Sequence, residues 1–238
     1  MQYNQLDKYS ARLNLSSPRE PDALDLAFMC KEAIARGFGY ITVPRTRLDD
    51  AFKWTKNTSI TRVGLIDAAT ALSLPEIIFR EIKDAVARGA GMVEVALPAG
   101  FFCVNYDNIP AVIDEYLLAA IEASGNGKTP LKIALETAVL PGAADIKRAV
   151  HLLSGYNIKC IKTASGFNVK NSTLAHLNAV LEEARFAEKQ VDFCFDSNSG
   201  EFIVDEAFRL FGKIIKTPIN RLVVSVPLAA IRYVAKGE

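Results

Sequence analysis

Short apolar or β-branched runs alternate along the chain with longer segments whose apolar residues recur at helical spacing. The runs are "ARLNLS" (11–16), "YITV" (40–43), "TRVGLI" (61–66), "MVEVAL" (92–97), "LKIAL" (131–135), "IKCIK" (158–162), "VDFCF" (191–195) and "RLVVSV" (221–226), each of strand length. Each is followed by a helix-like stretch. In "LPEIIFREIKDAVARGAG", Pro75 near the start, Glu76 in the first turn and Gly89 near the end are ordinary helix start and stop signals. Eight such units in 238 residues predict an α/β fold, a single (β/α)8 TIM barrel spanning residues 1–238. A doubly wound sheet would show fewer strands and a glycine-rich phosphate loop after the first, and no GxGxxG is present. No composition break, linker or low-complexity tract divides the chain.

Within a strand, successive side chains point to opposite faces, so parity separates a helix-covered face from a barrel interior. In "MVEVAL", Val93, Val95 and Leu97 form a bulky face opposite Met92, Glu94 and Ala96. Leu131, Ile133 and Leu135 oppose Lys132, Ala134 and Glu136, while Val191, Phe193 and Phe195 oppose Asp192, Cys194 and Asp196. Lys162 shares its side with Cys160 and Ile158. With the bulky sets under the helices, Glu94, Lys132, Glu136, Lys162 and Asp196 converge on one cavity, mostly from strand C-terminal ends, where barrels of this fold keep their chemistry.

Half of the residues are hydrophobic, enough for a substantial core. Lys and Arg total 28 against 27 Asp and Glu, a net charge of +1 with no long basic run, so nucleic acid and acidic membrane are not the expected partners. A small or neutral ligand fits better. The N-terminus lacks the pattern of a signal peptide, and no span of about 18 apolar residues occurs, so the expected location is cytoplasmic. Cys30, Cys103, Cys160 and Cys194 have no CxxC spacing, which argues for reduced core residues rather than zinc ligands or disulfides.

A single charged residue near a strand end is as readily solvated as catalytic. Lys159, of opposite parity to Lys162, is expected to reach solvent. Several ionisable residues on one inward face must at least pair, because burying unpaired charge is costly; paired structural charges are the competing reading. His151 and His176 sit in helix-like segments and are expected to be structural or surface residues. Trp54 and the pair Phe101–Phe102 are expected to pack rather than to stack on bases.

The heptapeptide "IKTASGF" (161–167) resembles the Schiff-base lysine motif of the deoxyribose-phosphate aldolases, commonly written IKTSTGF. The resemblance extends to "GFGYITVPR", which is similar to a strand carrying a Pro-Arg pair, to "ARGAGMVEVALP", similar to GADEVDMVI, and to "LKIALET", similar to LKVIIET. It implies that Lys162 forms an imine with the substrate carbonyl, that Glu94 stands where the family has the aspartate of its proton relay, and that Lys132 and Glu136 match the strand-five lysine and glutamate. Thr163, Ser165 and Gly166 after the lysine, with Ser199 and Gly200, become the implied substrate-binding positions.

The resemblance has three departures. The family's second lysine, in a K-(A/P)-(S/A)-G-G pattern, is matched here by Asp196, with Ser199–Gly200 at the two glycines. A nearby aspartate favours the ammonium form of Lys162, where a second lysine would favour the amine. The last strand reads "VVSVPLA" in place of a small Gly/Ser phosphate-binding pattern, and Pro227 removes an N–H donor. The turn after strand three reads "DAATA", where the family has NFP or GFP with a glycine.

The implied reaction is class I aldol chemistry, with Lys162 as nucleophile and electron sink, Glu94 as general acid/base, and Asp196 or Glu136 orienting a water. Lys132 would tune the field. Such a reaction needs no metal and no cofactor. The expected partner is a small carbonyl or sugar substrate, phosphorylated or not, and a homodimer is the assembly to look for. Two alternatives stand beside it: an altered paralogue that keeps the barrel for binding or regulation, with Lys162 and Asp196 as a salt bridge, and a different Schiff-base enzyme on the same barrel.

Overall fold

The computed structural model describes residues 9–17, 21–67, 73–102, 109–167, 170–186, 191–197, 200–215, 221–229 and 231. Eight parallel strands close in sequence order: β1 (Leu13–Ser16), β2 (Tyr40–Pro44), β3 (Thr61–Ile66), β4 (Met92–Ala96), β5 (Leu131–Ala134), β6 (Cys160–Lys162), β7 (Asp192–Asp196) and β8 (Leu222–Pro227). β8 returns to pair with β1, Ser225 standing opposite Asn14. Between the strands run α1 (Ala23–Ala35), α2 (Leu48–Thr55), α3 (Pro75–Ala87), α4 (Ile109–Ala123), α5 (Ala143–Ser154), α6 (Leu174–Ala184) and α7 (Gly200–Ile215). This is the (β/α)8 barrel expected from the alternating runs.

Local chemistry explains where the helices begin and end. A capping box of Asp22 and Asp25 opens α1, and one of Thr173 and His176 opens α6. His176 is thus a cap, its ring Nδ1 accepting from the Thr173 N–H at 3.3 Å. Pro75 begins α3. That helix stops at Gly89, whose φ of +83° suits a residue without Cβ, with Gly89 N–H donating to Val86 O and Ala90 N–H to Ala85 O.

Strand parity sorts the interior as the alternation predicts. Val93, Val95, Ile133, Ile161, Phe193 and Phe195 join the hydrophobic cluster beneath the helices, each worth roughly 1.5–3 kcal/mol on burial. Phe193 meets Phe211 of α7 with ring centroids 5.9 Å apart. Glu94, Lys132, Cys160, Lys162, Cys194 and Asp196 are buried yet lie outside that cluster, inside the barrel. Cys30, Cys160 and Cys194 are free and buried; Cys103 lies outside the described residues, as do the side chains of Phe101 and Phe102.

Trp54 differs from expectation. It is 45% exposed at the surface, with the Lys31 ammonium 5.3 Å from its ring, because α2 turns this position away from the sheet. Lys159 reaches the surface as expected and pairs with Asp192 at 2.9 Å. His151 is exposed and lies 3.4 Å from Glu183. Among the described residues no helix is long and apolar enough to cross a membrane.

Candidate functional site

Register brings the charges together. Glu94 on β4 stands opposite Lys132 on β5, Ala134 opposite Lys162 on β6, and Lys162 opposite Cys194 on β7, one inward step below Asp196. Lys162 has 0% exposure, and its Nζ donates to Glu94 Oε1 at 2.8 Å. The same nitrogen lies 3.5 Å from Asp196 Oδ1 and donates to Ser165 O at 3.5 Å. Lys132 Nζ forms an ion pair with the other Glu94 oxygen, Oε2, at 3.1 Å, in a geometry that falls short of a hydrogen bond. Glu94 therefore serves two lysines with two separate oxygens.

These contacts set the protonation states. Burial alone would lower the Lys162 pKa, but the fields of Glu94 and Asp196 outweigh it and raise the value above its ordinary 10.5. Lys132 is raised in the same way, Glu94 overcoming burial. Burial would push the Glu94 carboxyl up, yet Lys162 and Lys132 together hold it below the usual carboxylate range. Asp196 behaves oppositely. Burial raises its pKa, the pull of the more distant Lys162 only partly offsets this, and the negative charges of Glu94 and Glu136 add to it. The site thus holds one carboxylate that stays ionised and one that takes up a proton more readily.

The remaining sequence-singled residues take different positions. Glu136, just past β5 with φ +53°, points its Oε1 to the Ser165 N–H at 2.8 Å, so it shapes the loop after β6. Thr163 Oγ1 accepts from the Asp196 N–H at 3.0 Å, and its backbone N–H donates to Cys194 O, holding the end of β7 against β6. Ser165 Oγ accepts from the Phe167 N–H at 3.2 Å. Gly166 is exposed with φ +87°, and a Cβ there would lie 3.6 Å from either Asp196 carboxylate oxygen. Gly200 opens α7, whereas Ser199 lies outside the described residues.

The sequence reading missed the opposite wall. Asn14 on β1 donates to Ser225 Oγ on β8 at 2.8 Å and to Ser16 Oγ at 3.1 Å, Thr42 on β2 donates to Asn14 Oδ1 at 2.9 Å, and the Ser16 and Ser225 hydroxyls lie 2.6 Å apart. Strand alternation applied to "LNLS" and "LVVSV" would have placed these residues inward. Charge drew attention to β4–β7 and away from a neutral network. Among the described residues, no group of three or more His, Cys, Asp or Glu side chains is arranged to hold a metal ion.

No family model matches the chain. Its sequence is similar to that of a deoxyribose-phosphate aldolase of Clostridium perfringens, 25% identical over 154 residues, covering 65% of this chain and 66% of the relative. A deoxyribose-phosphate aldolase of Mesomycoplasma hyopneumoniae is 28% identical over 158 residues, with 66% and 69% covered. The chain thus spans about two-thirds of the length of these curated relatives. A solved structure from Toxoplasma gondii ME49, described as a candidate deoxyribose-phosphate aldolase, superposes with a TM-score of 0.84 over 98% of this chain and 96% of the other at 14% identity. At that identity the likeness speaks for the fold.

Proposed function

This chain is a divergent relative of the deoxyribose-phosphate aldolases, and from that premise we propose that it catalyses reversible aldol cleavage of a small hydroxy-aldehyde or sugar through an imine on Lys162. The observation that carries the reading is a fully buried lysine at the C-terminal end of β6, 2.8 Å from one carboxylate and 3.5 Å from a second. Imine chemistry needs the neutral amine, and a carboxylate within reach supplies a base that can take the ammonium proton.

At rest Lys162 is an ammonium. Asp196, the more basic carboxylate, takes its proton, and the neutral amine adds to the substrate carbonyl. The carbinolamine oxygen leaves as water with the proton that Asp196 returns. The resulting iminium is stabilised by Glu94, held ionised between two lysines. A carboxylate then removes the proton of the β-hydroxyl. The C–C bond breaks, its electron pair passes into the iminium to give an enamine, and an aldehyde departs. Return of the proton to the enamine carbon and hydrolysis of the imine release the second product and restore the lysine. Lys132 holds Glu94 in place and keeps it charged.

Intact-mass analysis after borohydride reduction tests the reading, using glycolaldehyde, erythrose and deoxyribose 5-phosphate beside Lys162→Met, which keeps the side-chain volume. A reduced adduct on the native chain and none on the variant is the expected result. No adduct from pH 6 to 9 would sink the proposal and favour a binding barrel, a reading that draws on the complete burial of Lys162 in its ion pairs.

A further inference from the structure

Asp196, the last residue of β7, and Ser197, which follows it, have unmet hydrogen-bonding capacity. Asp196 is 4% exposed; its Oδ1 faces Lys162, while Oδ2 is buried with no hydrogen-bond partner among the described residues. Ser197 Oγ, the next side chain along, is buried and likewise unpartnered among the described residues. Its backbone N–H is engaged by Ser225 O. Buried polar atoms are nearly always satisfied, so two adjacent orphans at the C-terminal rim of a strand indicate a missing partner. An ionised carboxylate oxygen accepts hydrogen bonds and a protonated one donates, so a hydroxyl, which does both, matches it in either state.

The surroundings narrow the chemistry. Gly166 is exposed and lies over the Asp196 carboxylate, where a Cβ would stand 3.6 Å from either oxygen. Next around the barrel, Ser225 stands opposite Asp196 in register, and Asn14 opposite Ser225. That wall offers hydroxyl and amide groups, with Ser16 only half-buried at its edge. Among the described residues, the buried Asp, Glu, Lys and Arg side chains are three carboxylates (Glu94, Glu136, Asp196) and two lysines (Lys132, Lys162). Both lysines are already directed at Glu94. Lys159 and Arg221 pair with Asp192 at the other end of β7. Lys170, on the loop after β6, is exposed. An anionic group arriving at this rim meets a carboxylate.

We propose that the site takes an uncharged polyhydroxylated carbonyl compound, its hydroxyls bound by Asp196 Oδ2 and Ser197 Oγ, and discriminates against phosphate esters. The assignment rests on the reading of Lys162 as the carbonyl-binding lysine, and it adds the substrate class.

The test separates the two claims by using alcohols that cannot form an imine. Isothermal titration of the intact protein with erythritol and with erythritol 4-phosphate should give saturable binding of the first and at least tenfold weaker binding of the second. Asp196→Asn should shrink that ratio, and Ser197→Ala, a milder change, should weaken erythritol binding in case the first variant folds poorly. Erythritol 4-phosphate binding equal to or tighter than erythritol, or no erythritol binding, overturns the proposal. Borohydride trapping with erythrose and erythrose 4-phosphate completes the comparison. Erythritol binding without any trapped adduct refutes the lysine chemistry alone, whereas equal trapping of both aldehydes refutes the preference alone.

Discussion

Lys162 and Glu94 lie 68 residues apart in sequence and on strands separated by β5, yet their side chains meet at 2.8 Å inside the barrel with neither exposed. The pair is held by closure of the sheet, and Lys132 fixes it from the second Glu94 oxygen at 3.1 Å. Removing Glu94 leaves Lys132 without its counter-ion and Lys162 with only Asp196, 3.5 Å away. Glu94→Gln should destabilise the protein by about 3–5 kcal/mol. Adding Lys132→Met should recover part of the loss, and urea unfolding of the single and double variants measures both. Additive losses would mean that Lys132 is not served by Glu94.

The alkaline limb of the stability profile follows from Lys162. Its folded pKa is raised above 10.5, so the native state holds this proton where the unfolded chain has released it. The contribution is fully present below 10.5 and is lost as pH rises through the folded value. Between pH 9.5 and 11.5 the native protein should lose stability more steeply than Lys162→Met. Parallel profiles would show that the lysine is not held as an ammonium.

Asp196 makes a prediction about rate. If it accepts the Lys162 proton, Asp196→Asn should slow borohydride-trapped adduct formation by roughly 100-fold, the lower end for a general base. Trapping by the native protein should accelerate as pH rises from 7 to 10, because the ammonium must lose its proton first. An unchanged rate in the variant would move the role to Glu94.

The neutral wall makes a prediction about stability. Asn14 satisfies Thr42, Ser16 and Ser225 together. Asn14→Ala strands buried hydroxyls and should cost about 1–3 kcal/mol in thermal or urea unfolding. Asn14→Asp should cost at least as much, since an amide donor becomes an acceptor beside two serine hydroxyls.

Much of this protein was legible before folding was considered. The period-two alternation in "MVEVAL" and "VDFCF" separates Val93, Val95, Phe193 and Phe195 from Glu94 and Asp196, since a strand allows only two faces. The eight-fold recurrence of strand and helix limits the sheet to a closed barrel, and the motif around Lys162 singles it out as the candidate for imine formation. Tertiary structure alone decided the partners. Parity treats Glu94, Glu136 and Asp196 alike, whereas the stagger of β4 to β7 brings Glu94 nearest to both lysines. The left-handed backbone at Glu136 turns its carboxylate to the Ser165 N–H. Asn14 and Ser225, 211 residues apart, meet only because β8 returns to β1. Local patterns record which face a side chain occupies; its neighbours on that face depend on register and closure, which are properties of the whole sheet.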